Sequence, residues 1–300
     1  MKHSEAGWLD NEAQLASPAC DGLERSCNSV DLIRTGAETR GIERIEAMFY
    51  GNRFSPHRHD TYALGLTLSG VQTFAYRGVS RFSMPGNVIV LHPDELHDGG
   101  AGTEVGLRYR MMYIPPEYLR EAGAGGATAL PFVANPVLSD AGLAQALAEA
   151  LADLENPIGD LAHADLLSRI ADGLGRHAQE TPRLSPRAER AVQKACVYLR
   201  DNATTTVLSE DLEAVTDLNR YSLARQFRLA TGTSPHRYQV MRRLEQAKRL
   251  MLKEVSIAEA AIAVGFADQS HLTRHFKSSY GMPPGRWLML ASQGRPVHSH

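Results

Sequence analysis

The chain has 300 residues, of which 43% are hydrophobic and 22% charged, with a formal net charge of −2. This composition supports packed cores and excludes a weakly hydrophobic disordered tail, and the length suits two domains. No apolar run approaches the roughly 20 residues that span a bilayer, and no basic-then-apolar leader pattern opens the chain.

The cysteines, Cys20, Cys27 and Cys196, follow no zinc or disulfide-scaffold spacing, so a reduced, cytoplasmic protein is expected. The small net charge conceals a polarity. Residues 183–300 hold 18 Lys+Arg and 10 Asp+Glu, whereas residues 1–182 hold 14 and 24. An acidic half joined to a basic half points to a polyanionic partner for the latter.

In chain order, residues 1–40 lack periodicity and read as a flexible arm. From about 42 to 116, short β-type runs alternate with turn residues: Tyr62–Leu68, Gln72–Tyr76, Arg81–Ser83, Asn87–Leu91 and Gly106–Ile114. Gly70, Gly78 and Pro85-Gly86 punctuate them as hairpin turns, and Gly99–Gly102 reads as a loop. Many short strands with glycine turns predict a sandwich or barrel. Leu143, Leu147, Leu151 and Leu154 then recur at helical spacing, with Ser139 or Asp140 as N-cap. A second helix over 160–178 carries Leu161, Leu166, Ile170 and Leu174. This leucine-lined pair packs on the β-region or pairs two subunits; both readings stand open. The 181–186 stretch, with Pro182 and Pro186, reads as a linker. Beyond it the pattern is helical, over about 187–202, 208–215, 219–230, 235–252, 257–263, 268–279 and 283–290, with 291–300 as a tail.

Two segments of the basic half are alike. Leu212–Phe227 and Ala260–Phe276 each read as a short helix, a turn and a second helix ending in Leu-x-x-x-Phe, and each continues to a glycine, Gly232 or Gly281. A duplicated helix-turn-helix explains this repeat. Leu223, Phe227, Leu272 and Phe276 would bury one face of each second helix. The opposite faces carry Arg220, Tyr221, Ala224, Arg225 and Arg228, then Gln269, Ser270, His271, Arg274 and Lys277. Arg and Gln suit bidentate contacts with base edges, and flanking Lys and Arg suit phosphates. Asn219 and Asp268 are placed to cap the two helices. The connecting helix over 235–252 would be roughly 27 Å long at 1.5 Å per residue. With the widths of the packed units added, the reading helices lie about one DNA turn, roughly 34 Å, apart.

Residues 187–290 resemble the DNA-binding domain of the AraC/XylS family of bacterial transcription regulators. The resemblance rests on Val264 to Lys277 followed by Tyr280-Gly281-Met282-Pro283-Pro284-Gly285-Arg286-Trp287, and on the Arg243–Leu250 helix. It departs at Glu213 and Asp217, where Ala and Gly are usual. It implies base-reading roles for Tyr221, Ala224, Arg225, Ser270, His271 and Arg274.

In the acidic half, Gly51 precedes His57-Arg58-His59 by five residues, and His92 and His97 follow later. Two histidines at i and i+2 of a strand share a face, and His97 from a neighbouring strand would complete a three-nitrogen site. These stretches resemble the two motifs of the cupin barrel, although Ala63 stands where a metal-binding cupin would have its carboxylate. Three readings stand open: a divalent ion, zinc or iron, on His57, His59 and His97; an organic effector held by these histidines with Tyr62, Tyr76 and Glu95; or strand-end histidines bonded only to backbone or water.

The expectation is an α+β two-domain chain. Residues 41–180 would form a cupin-like β-barrel with a helical pair for effector binding and dimerisation, and 187–290 an all-α domain with two helix-turn-helix units. The expected function is a ligand-responsive, sequence-specific regulator that binds promoter DNA as a homodimer and, if an activator, meets RNA polymerase. It is not expected to be an enzyme. The rival readings are a metal-dependent cupin enzyme fused to a DNA-binding module, and an effector-independent DNA binder.

Overall fold

The computed structural model describes residues 31–51, 53–123, 129–179 and 181–293. Residues 1–30 of the arm expected over 1–40, and the tail beyond 293, lie outside them. The first half runs β1 (Leu32–Thr35), β2 (Glu43–Phe49), β3 (Arg53–His57), β4 (Tyr62–Gly70), β5 (Gln72–Tyr76), β6 (Val79–Ser83), β7 (Val88–Leu91), β8 (His97–Ala101), β9 (Leu107–Ile114), α1 (Pro116–Ala122), β10 (Phe132–Val133), β11 (Val137–Leu138), α2 (Ala141–Ala152), α3 (Asp160–His177) and β12 (Ala178–Gln179). Antiparallel pairing gives a six-stranded sheet, β1-β2-β9-β4-β7-β11, a four-stranded sheet, β3-β8-β5-β6, and the short pair β10-β12. The strands therefore form a β-rich cupin-like domain of separate sheets rather than one closed ring.

Side-chain alternation divides the large sheet into two buried faces. Ile45, Ala47, Phe49, Ala63, Tyr109 and Met111 point inward with Phe74 and Tyr76 of the small sheet. Tyr62, Leu64, Leu66, Met112 and Ile114 point outward, where Leu143, Leu147, Leu151, Leu154, Leu166, Ile170 and Leu174 cover them. The α2 and α3 leucines are thus spent on the chain's own core, and only Leu161, 89% exposed, faces away. They do not offer the face expected for subunit pairing. Asp140 caps α2, accepting a hydrogen bond from the Leu143 amide at 2.9 Å.

Two expectations are corrected. Residues 32–35 are not arm but strand, with Leu32–Thr35 paired to Met48–Ile45. A four-residue edge strand carries too little periodicity to be read alone. Gly99 and Gly100 lie in β8, not in a loop, because β3 and β5 flank that strand on both sides. A Cβ at Gly99 would meet only Gln72 Nε2, at 3.8 Å, whereas one at Gly102, just past the strand, would come 2.5 Å from Thr73 Cγ2.

The second half is helical: α4 (Pro186–Asp201), α5 (Ser209–Thr216), α6 (Arg220–Thr231), α7 (Pro235–Leu252), α8 (Ile257–Ala263), α9 (Gln269–Tyr280) and α10 (Pro284–Gln293), which takes in the first residues of the expected tail. Asn219 and Asp268 cap α6 and α9 through their side chains. In the first unit the turn bends at Asp217, with φ +56°; in the second it bends at Gly265, with φ +86°. Leu212, Leu223 and Phe227 form one core with α4 and Tyr238. Leu272, Phe276 and Trp287 join a larger core that continues into the β-rich domain. The α7 helix fastens the loop after α4. Gln239 Nε2 donates to the Asn202 and Thr205 carbonyls, and the Arg243 guanidinium donates to Ala203, Thr205 and Gly265.

Candidate nucleic-acid interface and effector pocket

The apolar residues expected to bury one face of α6 and α9 do so: Leu223, Phe227, Leu272 and Phe276 are at most 2% exposed. The opposite faces put Arg220, Tyr221, Ala224, Arg225 and Arg228, and Gln269, Ser270, Arg274 and Lys277, at the surface, with His271 half-buried. Tyr221 is 82% exposed, an aromatic ring with no core to fill. Two of these residues are engaged within the chain. Arg220 is held by Glu213, which accepts from its backbone amide at 2.6 Å and from its Nε at 3.1 Å. His271 Nε2 lies 3.1 Å from His275 Nε2. Asp217 pairs with Arg187 at 3.1 Å.

The two halves are docked on each other, which no local pattern in the sequence foretold. Both glycines that end the reading helices abut the β-rich domain: a Cβ at Gly232 would lie 2.6 Å from Pro93, and one at Gly281 would lie 2.8 Å from His57 Nδ1. The Ser55 amide donates to the Gly281 carbonyl and the Arg58 amide to that of Ser278, both at 3.1 Å. Acidic residues of the first half meet bases of the second: Asp94 with Arg237 at 3.0 Å, Asp60 with Arg242 at 2.6 Å and Glu43 with Lys248 at 2.5 Å. Burial opposes the Arg242 charge, but Asp60 and Glu245 outweigh it and hold the guanidinium well above its ordinary range.

Where the halves meet, a cavity of about 100 Å³ opens on the inner face of the large sheet. Its walls come from both domains: His57, His59, Ala63, Gln72, His97 and Tyr113 on one side, and Met241, Glu245, Lys248, Tyr280, Met282 and Trp287 on the other. Residues Tyr62, Tyr76 and Glu95, expected in the effector site, stand apart from it. Tyr62 follows the sheet parity opposite to Ala63, and its hydroxyl donates to the Pro131 carbonyl at 2.8 Å. Tyr76 lies 2.7 Å from His92 Nδ1, and Glu95 pairs with Arg77.

The three histidines do gather. The His97 ring centroid is 4.3 Å from that of His57 and 4.9 Å from that of His59. Each Nδ1 reaches a backbone carbonyl two residues away: His57 to Ser55 and His59 to Thr61 at 2.8 Å, His97 to Glu95 at 2.9 Å. A carbonyl only accepts, so each Nδ1 carries the proton and each Nε2 keeps its lone pair. Burial, then the neighbouring ring, pushes each imidazole down to about 3.

That donor set does not amount to a metal centre. Among the described residues no group of three or more His, Cys, Asp or Glu is arranged to hold an ion. The reason is local: the β3 ladder is irregular after Phe54 and ends at His57. His59 therefore lies beyond the strand, its ring 6.3 Å from that of His57, and Ala63 supplies no carboxylate.

A β-rich pocket domain docked on paired helix-turn-helix units defines a two-domain DNA-binding regulator. Residues 40–171 match the model of the AraC-like ligand binding domain and residues 212–289 that of a helix-turn-helix domain, together more than half of the chain. The chain belongs to the AraC family of transcription regulators. It is 27% identical to the uncharacterized HTH-type transcriptional regulator YbfI of Bacillus subtilis over 73% of this chain and 82% of that one. It is also 27% identical to the arabinose operon regulatory protein of Escherichia coli, over 82% and 87%. The fold matches wild-type ToxT from Vibrio cholerae with an unsaturated fatty acid bound, at TM-score 0.62 and 14% identity, over 89% of this chain and 97% of that one. No helix among the described residues is long and apolar enough to cross a membrane.

Proposed function

We propose that this regulator senses a small molecule in the cavity between its halves and that occupancy changes how α6 and α9 are presented to promoter DNA. One observation carries the reading: Glu245, Lys248, Tyr280 and Trp287 of the DNA-binding half form one wall of a cavity whose other wall is the β-rich domain. A ligand there has different contacts in the docked and undocked arrangements, which is the condition for shifting their populations. ToxT, a similar fold solved with an unsaturated fatty acid bound, supports a small-molecule ligand for a chain of this fold.

In this reading Arg225 and Arg274 read base edges, with Tyr221, Ala224, Ser270 and His271 beside them. Arg220, Arg228 and Lys277 position the helices on the backbone, and Gln269 is placed to reach a base edge. His57, His59 and His97 face the effector. The cavity is a sensor and not a catalytic site. The domains meet over residues 181–186, and the regulator works in the cytoplasm as a homodimer through a surface other than the buried α2 and α3 leucines. If it activates, it also meets RNA polymerase.

The test is operator affinity across a small-molecule panel, for the wild type and for Ala63→Phe, whose ring fills the cavity from β4. At least one compound should shift the wild-type affinity several-fold and leave the filled variant unmoved. Affinity that is insensitive to every compound, or equally sensitive in both chains, defeats the reading.

A further inference from the structure

The fully buried side-chain atoms of the cavity wall that lack a partner are all acceptors. His59, 4% exposed, keeps its Nε2 buried without a partner, and Gln72, 7% exposed, does the same with its Oε1. Among the described residues neither His57 nor His97 makes a hydrogen bond through Nε2, and each donates from Nδ1 to a carbonyl two residues before it. Asp60 spends one carboxylate oxygen on Arg242 and leaves Oδ1 unpaired. A buried acceptor without a donor is destabilising, so these atoms favour whatever supplies the missing hydrogens.

The charges point the same way. The cavity is lined by Glu43, Asp60, Asp98 and Glu245 against one base, Lys248. That base is already engaged: it pairs with Glu43 and lies over the Tyr280 and Trp287 rings at 4.7 and 5.0 Å. Arg242, behind the wall, is likewise committed to Asp60 and Glu245. An anion entering the cavity would find its bases taken and carboxylates around it, with the uncharged hydroxyls of Tyr109, Tyr113 and Tyr280 as its donors. A donor would find free lone pairs on three imidazoles and an amide, within an apolar frame of Phe54, Phe74, Tyr109 and Trp287.

We infer that the effector is a small, uncharged or cationic organic molecule that presents N–H or O–H donors from an apolar body, and not a carboxylate. This rests on the proposed sensing role and names its ligand class. The cavity of about 100 Å³ is on the scale of one small ring, since roughly 150 Å³ accommodates benzene.

The test uses the full chain and three matched probes, benzylamine, benzyl alcohol and benzoate, with binding followed by saturation-transfer NMR. The amine, the alcohol or both bind, and benzoate binds at least about tenfold more weakly, the worth of one good hydrogen bond. His59→Phe, which keeps a ring but loses the acceptor, lowers the favoured probe's affinity by a similar factor. Preference for the amine assigns the carboxylates as its partners; parity with the alcohol assigns the imidazoles and Gln72. Benzoate binding as tightly as the others, or none of the three binding, overturns the inference. So does chelator-free protein that carries about one equivalent of metal and loses it in His97→Ala. Operator affinity measured with each bound probe separates the two proposals. A donor that binds without moving that affinity defeats the sensing role alone, and benzoate moving it defeats the ligand class alone.

Discussion

At the residue scale, the base-reading assignments make distinct predictions for side chains that look equally exposed. Arg225→Ala and Arg274→Ala should each cost about 1–3 kcal/mol of operator binding and relax sequence preference at one base pair. Lys277→Ala should weaken binding to every sequence alike and lower the salt slope by about one. Binding-site selection on the three variants checks both patterns. Asp217 poses a separate question, because it holds a left-handed backbone conformation, φ +56°, beside the first reading helix. Its pair with Arg187 is almost wholly exposed and adds little. Asp217→Gly should therefore raise stability by up to about 1 kcal/mol and tighten operator binding by removing a negative charge near the phosphates. Urea midpoints and anisotropy titrations measure the two effects.

At the element scale, the helical half was legible because each of its signals is local. Asn219 and Asp268 mark helix starts, Gly232 and Gly281 mark ends, and Leu-x-x-x-Phe marks the buried stripe. The strands with clean alternation were equally legible. Elements defined by partners were not: β1 is a strand only because β2 lies beside it, and β8 runs through Gly99 and Gly100 because β3 and β5 flank it. The histidines were found in sequence, whereas Tyr62 was misplaced by one step of strand parity and Trp287 was invisible as a cavity residue. The second turn offers a sharp test of local geometry. A Cβ at Gly265 would lie 2.2 Å from the Thr204 carbonyl oxygen, at φ +86°. Gly265→Ala should cost about 2 kcal/mol or more, read as a lowered urea midpoint; an unchanged midpoint would mean that the 202–205 loop yields freely.

At the scale of the whole molecule, ion pairs and a shared apolar core join the acidic half to the basic half, and four imidazoles are shielded from water: His57, His59 and His97 in the cavity wall between the halves, and His92 among Tyr62, Tyr76 and Phe132 of the first half. His57, His59, His92 and His97 are each pushed down to about 3, chiefly by burial. Between pH 6.5 and 3 the unfolded chain binds protons that the folded chain refuses. Stability is therefore full above pH 6.5 and falls as the pH is lowered, by about 1.4 kcal/mol per histidine per pH unit. Urea denaturation at successive pH values should show this decline, and a flat profile from pH 7 to 5 would mean that the histidines are open to water.

The central claim, that cavity and DNA-reading surface are coupled, is tested most directly through Trp287. The chain has two tryptophans, so Trp8→Phe leaves Trp287 as the only source of indole emission, in the cavity wall and on the DNA-binding half. Coupling is reciprocal: a ligand that alters operator affinity must itself be bound differently when the operator is present. The measurement is Trp287 emission during titration with operator DNA and with unrelated duplex, binding being followed in parallel by anisotropy. The account predicts that the operator shifts the emission as it saturates and that the unrelated duplex does not. Saturating operator binding with an unmoved Trp287 spectrum would contradict it.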